Sequence, residues 1–435
     1  MQYYTEPECR LPIVAEADVV VAGGGVAGYA AALASARNGA KTILIEQGNC
    51  IGGMATAGMM SHFTGASDSP CFDEVMGRAR SQDFCAFQPG QQATVLQINH
   101  EALKCAMLDL LREAGVEVRL YTFAAQAVKA DGAVRGVVVQ SKSGRQVIMG
   151  KYVIDATGDG DIAADAGAAF QLGREGDGKC QPCTLMFRIG GVDYSQAILP
   201  GSFEHTIEVP GGEIQALGRR NLPAPAGHVL LYPAWLPGEV CVNMTNAIDI
   251  NGTKAEDLTR AEFICRSQIG PIVSFLRQYA PGYGNCYLVT AASFIGVRET
   301  RHFKGLYTIT EEDIVEAPVF PDWIATRNWF NFDIHNIDGA GLDRHGAQAK
   351  FHANGKFTVP LRACIPEAVG GLLLAGRNIS GTHKAHSCYR AMPICLNIGT
   401  GVGTAAALAA KAGIAARDLD IFALHAALNA QGVTV

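Results

Sequence analysis

The densest reactive stretch of the chain is Ser380-Gly-Thr-His-Lys-Ala-His-Ser-Cys-Tyr-Arg-Ala-Met-Pro393, which gathers His383, His386, Tyr389 and Arg390 within eight residues. An imidazole titrates near neutral pH and can take a proton from a hydroxyl or an amine, so His386 is the leading candidate base, with His383 and Tyr389 beside it. Arg390 offers a planar fork of donors that matches a carboxylate. The competing reading is that these side chains only fix their loop. A second cluster, Gly296-Val-Arg-Glu-Thr-Arg-His302, sets Arg298 and Arg301 three residues apart around Glu299. Arg298 is a further candidate clamp, and an arginine–glutamate network tying segments together is the plainer alternative. His335, in the run 331–338 that alternates apolar and polar residues as a half-exposed strand would, and the lone His62 are weaker candidates. No metal is expected, because His383-x-x-His386 has no third ligand at a recognisable interval and Cys388 and Cys395 do not supply one. Nucleophilic hydrolysis lacks a Gly-x-Ser-x-Gly elbow.

Such side chains need a rigid frame, and its start is legible. The β-branched run Val19-Val20-Val21 meets Gly23-Gly24-Gly25-Val26-Ala27-Gly28, then an Ala-rich helical stretch to about Asn38, then a strand over residues 41–45 ending in Glu46. This is a βαβ unit with Gly-x-Gly-x-x-Gly at its first turn. Gly23 permits the turn, Gly25 lets backbone approach a pyrophosphate, and Gly28 lets helix and strand touch. The helix N-terminus then presents unpaired N–H groups to the phosphates. Glu46 stands 18 residues after Gly28, near the spacing for an acid that binds a ribose. A dinucleotide is therefore expected, either NAD or FAD. The glycine-dense loop that follows Gln47, Gly48 to Gly58 with Gly52-Gly53-Met54-Ala55-Thr56 at its centre, favours FAD, since a nicotinamide site does not require it.

With these motifs the sequence resembles the FAD-dependent oxidoreductases that carry a glutathione-reductase type of FAD domain, and within them a bacterial group marked by GGGxAGxxAA and GGMAT. The resemblance implies a ribose on Glu46, a diphosphate on the turn 23–28, and the loop 52–56 along the ribityl chain and flavin. It also implies a second FAD motif at Ala156-Thr157-Gly158-Asp159, after a strand ending in Asp155. A last strand before Gly376-Arg377-Asn378 and a terminal helix opened by residues 397–403, with Gly399, Gly401 and Val402 aimed at the flavin, complete the set. In that group a Gly-x-Arg-Glu-Thr/Ser-Arg segment recurs near flavin or substrate, which fits Arg298. His62, just after the glycine-dense loop, is placed to approach the flavin, with a simple hydrogen-bonding role favoured over covalent attachment of FAD.

The expected fold class is α/β: a Rossmann-like FAD-binding domain with a parallel sheet, plus a mixed α+β substrate domain inserted in the chain. Residues 1–180 form the first part of the FAD domain, 181–357 the substrate domain, and 358–435 the return. Helices are expected over 99–114 and 258–279, and strands over 116–121, 136–140, 147–155, 185–189, 229–232, 240–245 and 289–295, with a helix-and-loop excursion over 67–92. Within 435 residues, 49% hydrophobic content is ample for a core, and the excess of glycine, 50 residues, serves turns and close approaches.

A balance of 35 basic against 41 acidic residues argues against nucleic acid as a partner. No apolar run suggests a membrane span, and the opening residues lack the pattern of a secretory signal. Thirteen cysteines without a framework read as reduced thiols in a cytoplasmic protein, Cys180-x-x-Cys183 included. The partner expected is a small-molecule substrate, polar or anionic, and the chain is compatible with a homo-oligomer. The function expected is hydride transfer between that substrate and the flavin. The alternatives are a flavin-bearing electron-transfer subunit without its own organic substrate and an NAD-dependent dehydrogenase; the first lacks cysteine runs for iron–sulfur clusters, and the later glycine motifs speak against the second.

Overall fold

A computed structural model describes residues 2–82 and 97–435. Strand β1 (Ile13–Ala22), helix α1 (Val26–Arg37) and strand β2 (Thr42–Ile45) build the expected first unit. Helices α2 (Pro70–Arg80) and α3 (His100–Glu113) follow; the rest of the expected excursion, from residue 83 to residue 92, lies outside the described residues. Next come β3 (Glu117–Arg119), β4 (Phe123–Ala130), β5 (Ala133–Ser141), β6 (Gly144–Asp155), the short helix α4 (Asp161–Asp165) and β7 (Phe170–Leu172). Strand β4 escaped the sequence reading because Phe-Ala-Ala-Gln-Ala lacks the β-branched residues that mark strands.

The middle of the chain holds β8 (Phe187–Gly190), the two-residue strands β9 (Glu208–Val209) and β10 (Gly212–Glu213), α5 (Ile214–Asn221), β11 (Leu231–Pro233), β12 (Val240–Val242), the long helix α6 (Ala255–Tyr279) and β13 (Tyr287–Ala291). The last part comprises β14 (Arg301–Phe303), α7 (Glu311–Glu316), β15 (Trp323–Asn328), β16 (Phe357–Pro360), β17 (Leu372–Leu374), α8 (His383–Tyr389), α9 (Met392–Ala412) and α10 (Ile421–Ala430).

The large sheet has the order β3-β2-β1-β6-β5-β4, with β17 beside the end of β6. Strands β3, β2, β1, β6 and β17 run parallel, and β4-β5-β6 turn back as an antiparallel layer. Apolar runs such as Val19-Val20-Val21 and Leu372-Leu373-Leu374 are fully enclosed, as a sheet covered on both faces demands. A second, antiparallel sheet of order β11-β12-β8-β13 has its own core against α6. From Phe303 to Leu361 the chain packs into the core of the large sheet.

Two expectations fail here. Residues 292–295 leave the strand early, and residues 331–338 form no strand: Phe332 and His335 make only isolated bridges to Ala347 and Leu342. The alternation there reflects burial of Phe332 and Ile334 beneath an irregular loop.

Helix α9 begins at Met392, five residues before the expected opening at Asn397, and this corrects the reading of Gly399, Gly401 and Val402. Their N–H groups lie inside the helix, and the glycines serve close packing. A Cβ on Gly399 would stand 2.1 Å from Ala27 O, one on Gly403 2.2 Å from Ala31 O, and one on Gly401 2.3 Å from Ile324 O. By length and composition α9 matches a membrane span, but 94% of its apolar window is buried within the protein. Gly403→Val forces α9 off α1 and is expected to lower the unfolding free energy by about 1–3 kcal/mol; an unchanged urea midpoint would contradict this packing.

Candidate functional site

At the carboxyl edge of the large sheet three turns meet. Ala156 N donates to Ala22 O at 2.8 Å, and a Cβ on Gly23 would strike Ala156 O at 2.4 Å. On Gly28 it would meet Gly23 O at 1.8 Å, so helix and turn do touch as the glycine spacing predicts. Gly25 differs, because a Cβ there would meet nothing within 4 Å. Open space therefore lies over the first turn, where the opening N–H groups of α1 have no helical partner. The loop after β2 packs onto that turn: Gly52 N donates to Gly24 O at 2.8 Å, and Thr56 Oγ1 donates to Ile51 O at 2.7 Å. Met54 and Ala55 form the short helical turn between them.

Glu46 closes on the same turn, accepting from Gly24 N at 2.7 Å and Gly48 N at 2.6 Å, a bracing role that the spacing alone did not reveal. Gln47 is exposed. Asp155, at the end of β6, is buried and accepts from Thr157 N, Thr157 Oγ1 and Ala163 N, which shapes the second turn. Burial raises its carboxyl to about 6, against those hydrogen bonds. Asp159 accepts from Arg377 Nη2 at 2.6 Å and Thr300 Oγ1 at 2.7 Å, joining the second turn, the segment after β17 and the residues before β14. Asn378 Nδ2 donates to Asp155 O at 3.0 Å, and Gly376 stands against Ala27. The buried Nε of Arg377 has no partner among the described residues.

The reactive side chains form two groups. In the first, Arg390 Nη2 donates to Asp333 Oδ2 at 2.9 Å and to Asp333 O at 2.7 Å. His335 Nε2 stands 3.5 Å from Asp333 Oδ2. Arg298, which donates to Pro182 O at 2.6 Å and Thr184 Oγ1 at 2.8 Å, shares this environment. Its side chain is enclosed deeply enough for burial, aided by the charge of Arg390, to pull it down to about 10, although the residue keeps some exposure. Burial works against the Asp333 carboxylate, yet His335, Arg390 and Arg298 hold it well below the usual range. Burial, with Arg298, brings His335 down to about 4, and the same burial brings neighbouring His228 to about 3. Phe203 packs edge-on against both imidazoles, and Tyr232 against His62 at 4.8 Å between ring centres.

In the second group Glu299, His302, His383 and His386 converge. Glu299 Oε1 accepts from His302 Nε2 at 2.7 Å and His383 Nδ1 at 2.6 Å, and its Oε2 accepts from Gln181 N. His386 lies 4.7 Å from the His302 ring. Residues 299–302 bring neighbours to His383 and His386 that lie too far along the chain for a spacing rule to find. Tyr389 is also corrected. Its ring is fully buried in the main core and its hydroxyl donates to Ile379 O at 3.2 Å, which makes it a packing residue. Sequence reasoning missed Asp333, His228 and Tyr232; only the Asp333-Ile-His335 spacing carried a signal. Cys180 and Cys183 are buried free thiols, each raised by burial to about 12.

A strand–turn–helix with open space over its middle glycine, braced by two further turns at the edge of a parallel sheet, defines a dinucleotide-binding oxidoreductase. The chain belongs to the FAD-dependent oxidoreductase family, which it matches over residues 18–428. It is a flavoprotein enzyme, and its cofactor is FAD. Among solved structures it is similar to a geranylgeranyl bacteriochlorophyll reductase-like protein of Thermoplasma acidophilum, at 15% identity and a TM-score of 0.50, covering 92% of this chain and 80% of that one. The flavin-dependent brominase Bmp2 gives 13% identity and a TM-score of 0.49, over 96% of this chain and 84% of that one. The first likeness supports the fold. No curated protein matches the sequence.

The turns fit FAD: Gly25 leaves the room a diphosphate needs, and Arg377 brings an unpartnered buried donor. Gly25 has φ −63°, open to any residue, so Gly25→Val should fold and melt as the FAD-stripped parent does while losing bound FAD, read as flavin absorbance after gel filtration. Retention of full yellow colour would remove the turn from cofactor binding.

Acidification tests the buried imidazoles. His62, His100, His228 and His335 all lie below the ordinary 6.5 when folded, His100 at about 4, because burial disfavours their charged form. In this window the unfolded chain takes up protons that the folded chain refuses, so their contribution is complete above about pH 6.5 and is lost as pH falls toward about 4. Asp155, raised to about 6, works in the opposite sense, one group against these four and His386, which burial lowers too. Stability from urea unfolding should drop by roughly 3 kcal/mol between about pH 6.5 and 5; a flat profile would contradict their burial.

Proposed function

We propose that the enzyme transfers a hydride between FAD and a small polar, anionic substrate held by Arg298 and Arg390, with the His335–Asp333 pair managing the proton. The observation that carries this reading is the enclosure of two guanidiniums, one carboxylate and one imidazole in a single cluster. When bound, FAD supplies the two-electron partner. The chain's residues do the rest. Arg390 is already oriented by Asp333, so its remaining donors and those of Arg298 can grip a carboxylate without much further ordering. The lowered basicity of Arg298 reflects a poorly hydrated place, where an anion gains more than it does at the surface. His335 meets Asp333 through Nε2, which leaves Nδ1 as the atom that exchanges a proton with a hydroxyl or amine. Phe203 and Tyr232 exclude water around the imidazoles.

The reading extends to the frame. We assign residues 1–180 and 358–435 to an FAD-binding domain of the glutathione-reductase type, with the ribose on Glu46 and the diphosphate over Gly25, Val26 and Ala27. The loop Gly52 to Thr56 and the turns Ala156 to Asp159 and Gly376 to Asn378 line the remainder of the cofactor, and residues 181–357 carry the substrate. A cytoplasmic setting suits the free thiols.

Anaerobic bleaching of the flavin by hydroxy acids, amino acids and other carboxylates, followed by stopped flow, tests the function. Bleaching by a carboxylate is expected, and His335→Asn should slow it by roughly 10²-fold or more. Arg298→Met should weaken the carboxylate and leave its neutral ester unaffected. A parent enzyme that prefers the neutral ester would overturn the proposal.

A further inference from the structure

We propose that Glu299, His302 and His386 bind one divalent transition-metal ion of the Zn2+ type. One donor atom from each residue lies within 4.8 Å of the others. All three residues are buried, at 1%, 6% and 1% exposure, and they come from two segments that meet only in the folded chain: β14 with the residues just before it, and α8. Ligands around a tetrahedral ion at 2.0–2.1 Å stand roughly 3.3 Å apart, so small side-chain rotations bring this set onto one ion.

Hydrogen bonding within the group does not satisfy its members. The Glu299 oxygens are occupied, but Nδ1 of His302 and Nδ1 of His386 are both buried without a partner among the described residues. A buried imidazole nitrogen left alone is unfavourable; an ion would take the lone pair of His386 Nδ1, while His302 would present to it the Nε2 that now faces Glu299. The donor set also selects the ion. Two imidazoles and one carboxylate oxygen suit Zn2+, Fe2+ or Co2+, whereas Ca2+ and Mg2+ require mostly oxygen ligands.

His383 stands one layer out. Its Nδ1 donates to the same Glu299 oxygen and so orients the carboxylate, as outer hydrogen bonds do at metal centres. Beside the paired strands β7 and β14 a cavity of about 280 Å3, lined by Phe170, Gln171, Lys304 and Thr308, reaches His302 and His383, one ligand and its outer neighbour.

The test uses the FAD-loaded full chain, stripped with a chelator and reloaded with Zn2+ or Co2+. One Zn2+ per chain should survive gel filtration, by elemental analysis, and Co2+ should give ligand-field bands to the red of the flavin. His386→Gln should lose the ion, and His383→Ala should bind it roughly 10 to 100-fold more weakly. Replacing the exposed His345 and His352 together should leave binding unchanged. If His386→Gln does not fold, the parent's stoichiometry and the His383→Ala shift decide. A folded, yellow parent that retains no ion, undiminished binding in His386→Gln or His383→Ala, or loss on removing the surface histidines would each overturn the site.

Discussion

Backbone must touch backbone where the chain's two ends meet, and the rest of the architecture depends on that contact. Gly28 sits against Gly23 O, Gly399 against Ala27 O and Gly403 against Ala31 O, so α1 and α9 lie on each other with no side chain between them. Any Cβ at these points would fall well inside contact distance, and interiors packed to crystal-like density have no slack to absorb it. The same approach brings the turn after β17 to the turn after β1. Asp155 ties in the third turn from below, its carboxylate fully enclosed and bonded to the backbone it shapes. Segments hundreds of residues apart thus share one edge of one sheet, which is the condition for embracing an extended cofactor.

A second constraint is electrostatic. Two carboxylates, Asp333 and Glu299, are withdrawn from water, and each is kept charged by cations or imidazole donors supplied from another part of the chain. A buried charge without such partners is strongly destabilising, so these groups bind segments together as well as offering chemistry. Arg298 and Glu299 are adjacent in sequence yet serve different clusters, one facing Asp333 and Arg390, the other facing three imidazoles. The short stretch before β14 therefore links the Asp333 cluster to the second turn through Thr300 and Asp159.

The frame was legible because its determinants are local. Glycine spacing and a β-branched run place the first strand, turn and helix without any tertiary knowledge, and the strands before Glu46, Ala156 and Gly376 lie where expected. The later glycines misled because Gly399 and Gly401 look alike whether they open a helix or flatten one face of it; only the helix start at Met392, three residues after the buried Tyr389, separates the two. The candidate site was half legible. Arg298, Arg390, His383 and His386 stand out as dense reactive runs, but their partners Asp333, His228, His302 and Tyr232 are selected by three-dimensional proximity, which no spacing rule records. The division of one apparent histidine cluster into two groups followed from Glu299, whose carboxylate reaches His383 across 84 residues.

The central claim is that three distant turns enclose one FAD. A crystal structure of the FAD-bound chain tests it most directly. Diphosphate oxygens are expected at hydrogen-bond distance from the backbone N–H groups of Gly25 to Ala27, with the ribose beside Glu46 and the ring system extending past residues 52–56. FAD seated elsewhere, or the space over Gly25 filled by protein while the cofactor is bound, would contradict it.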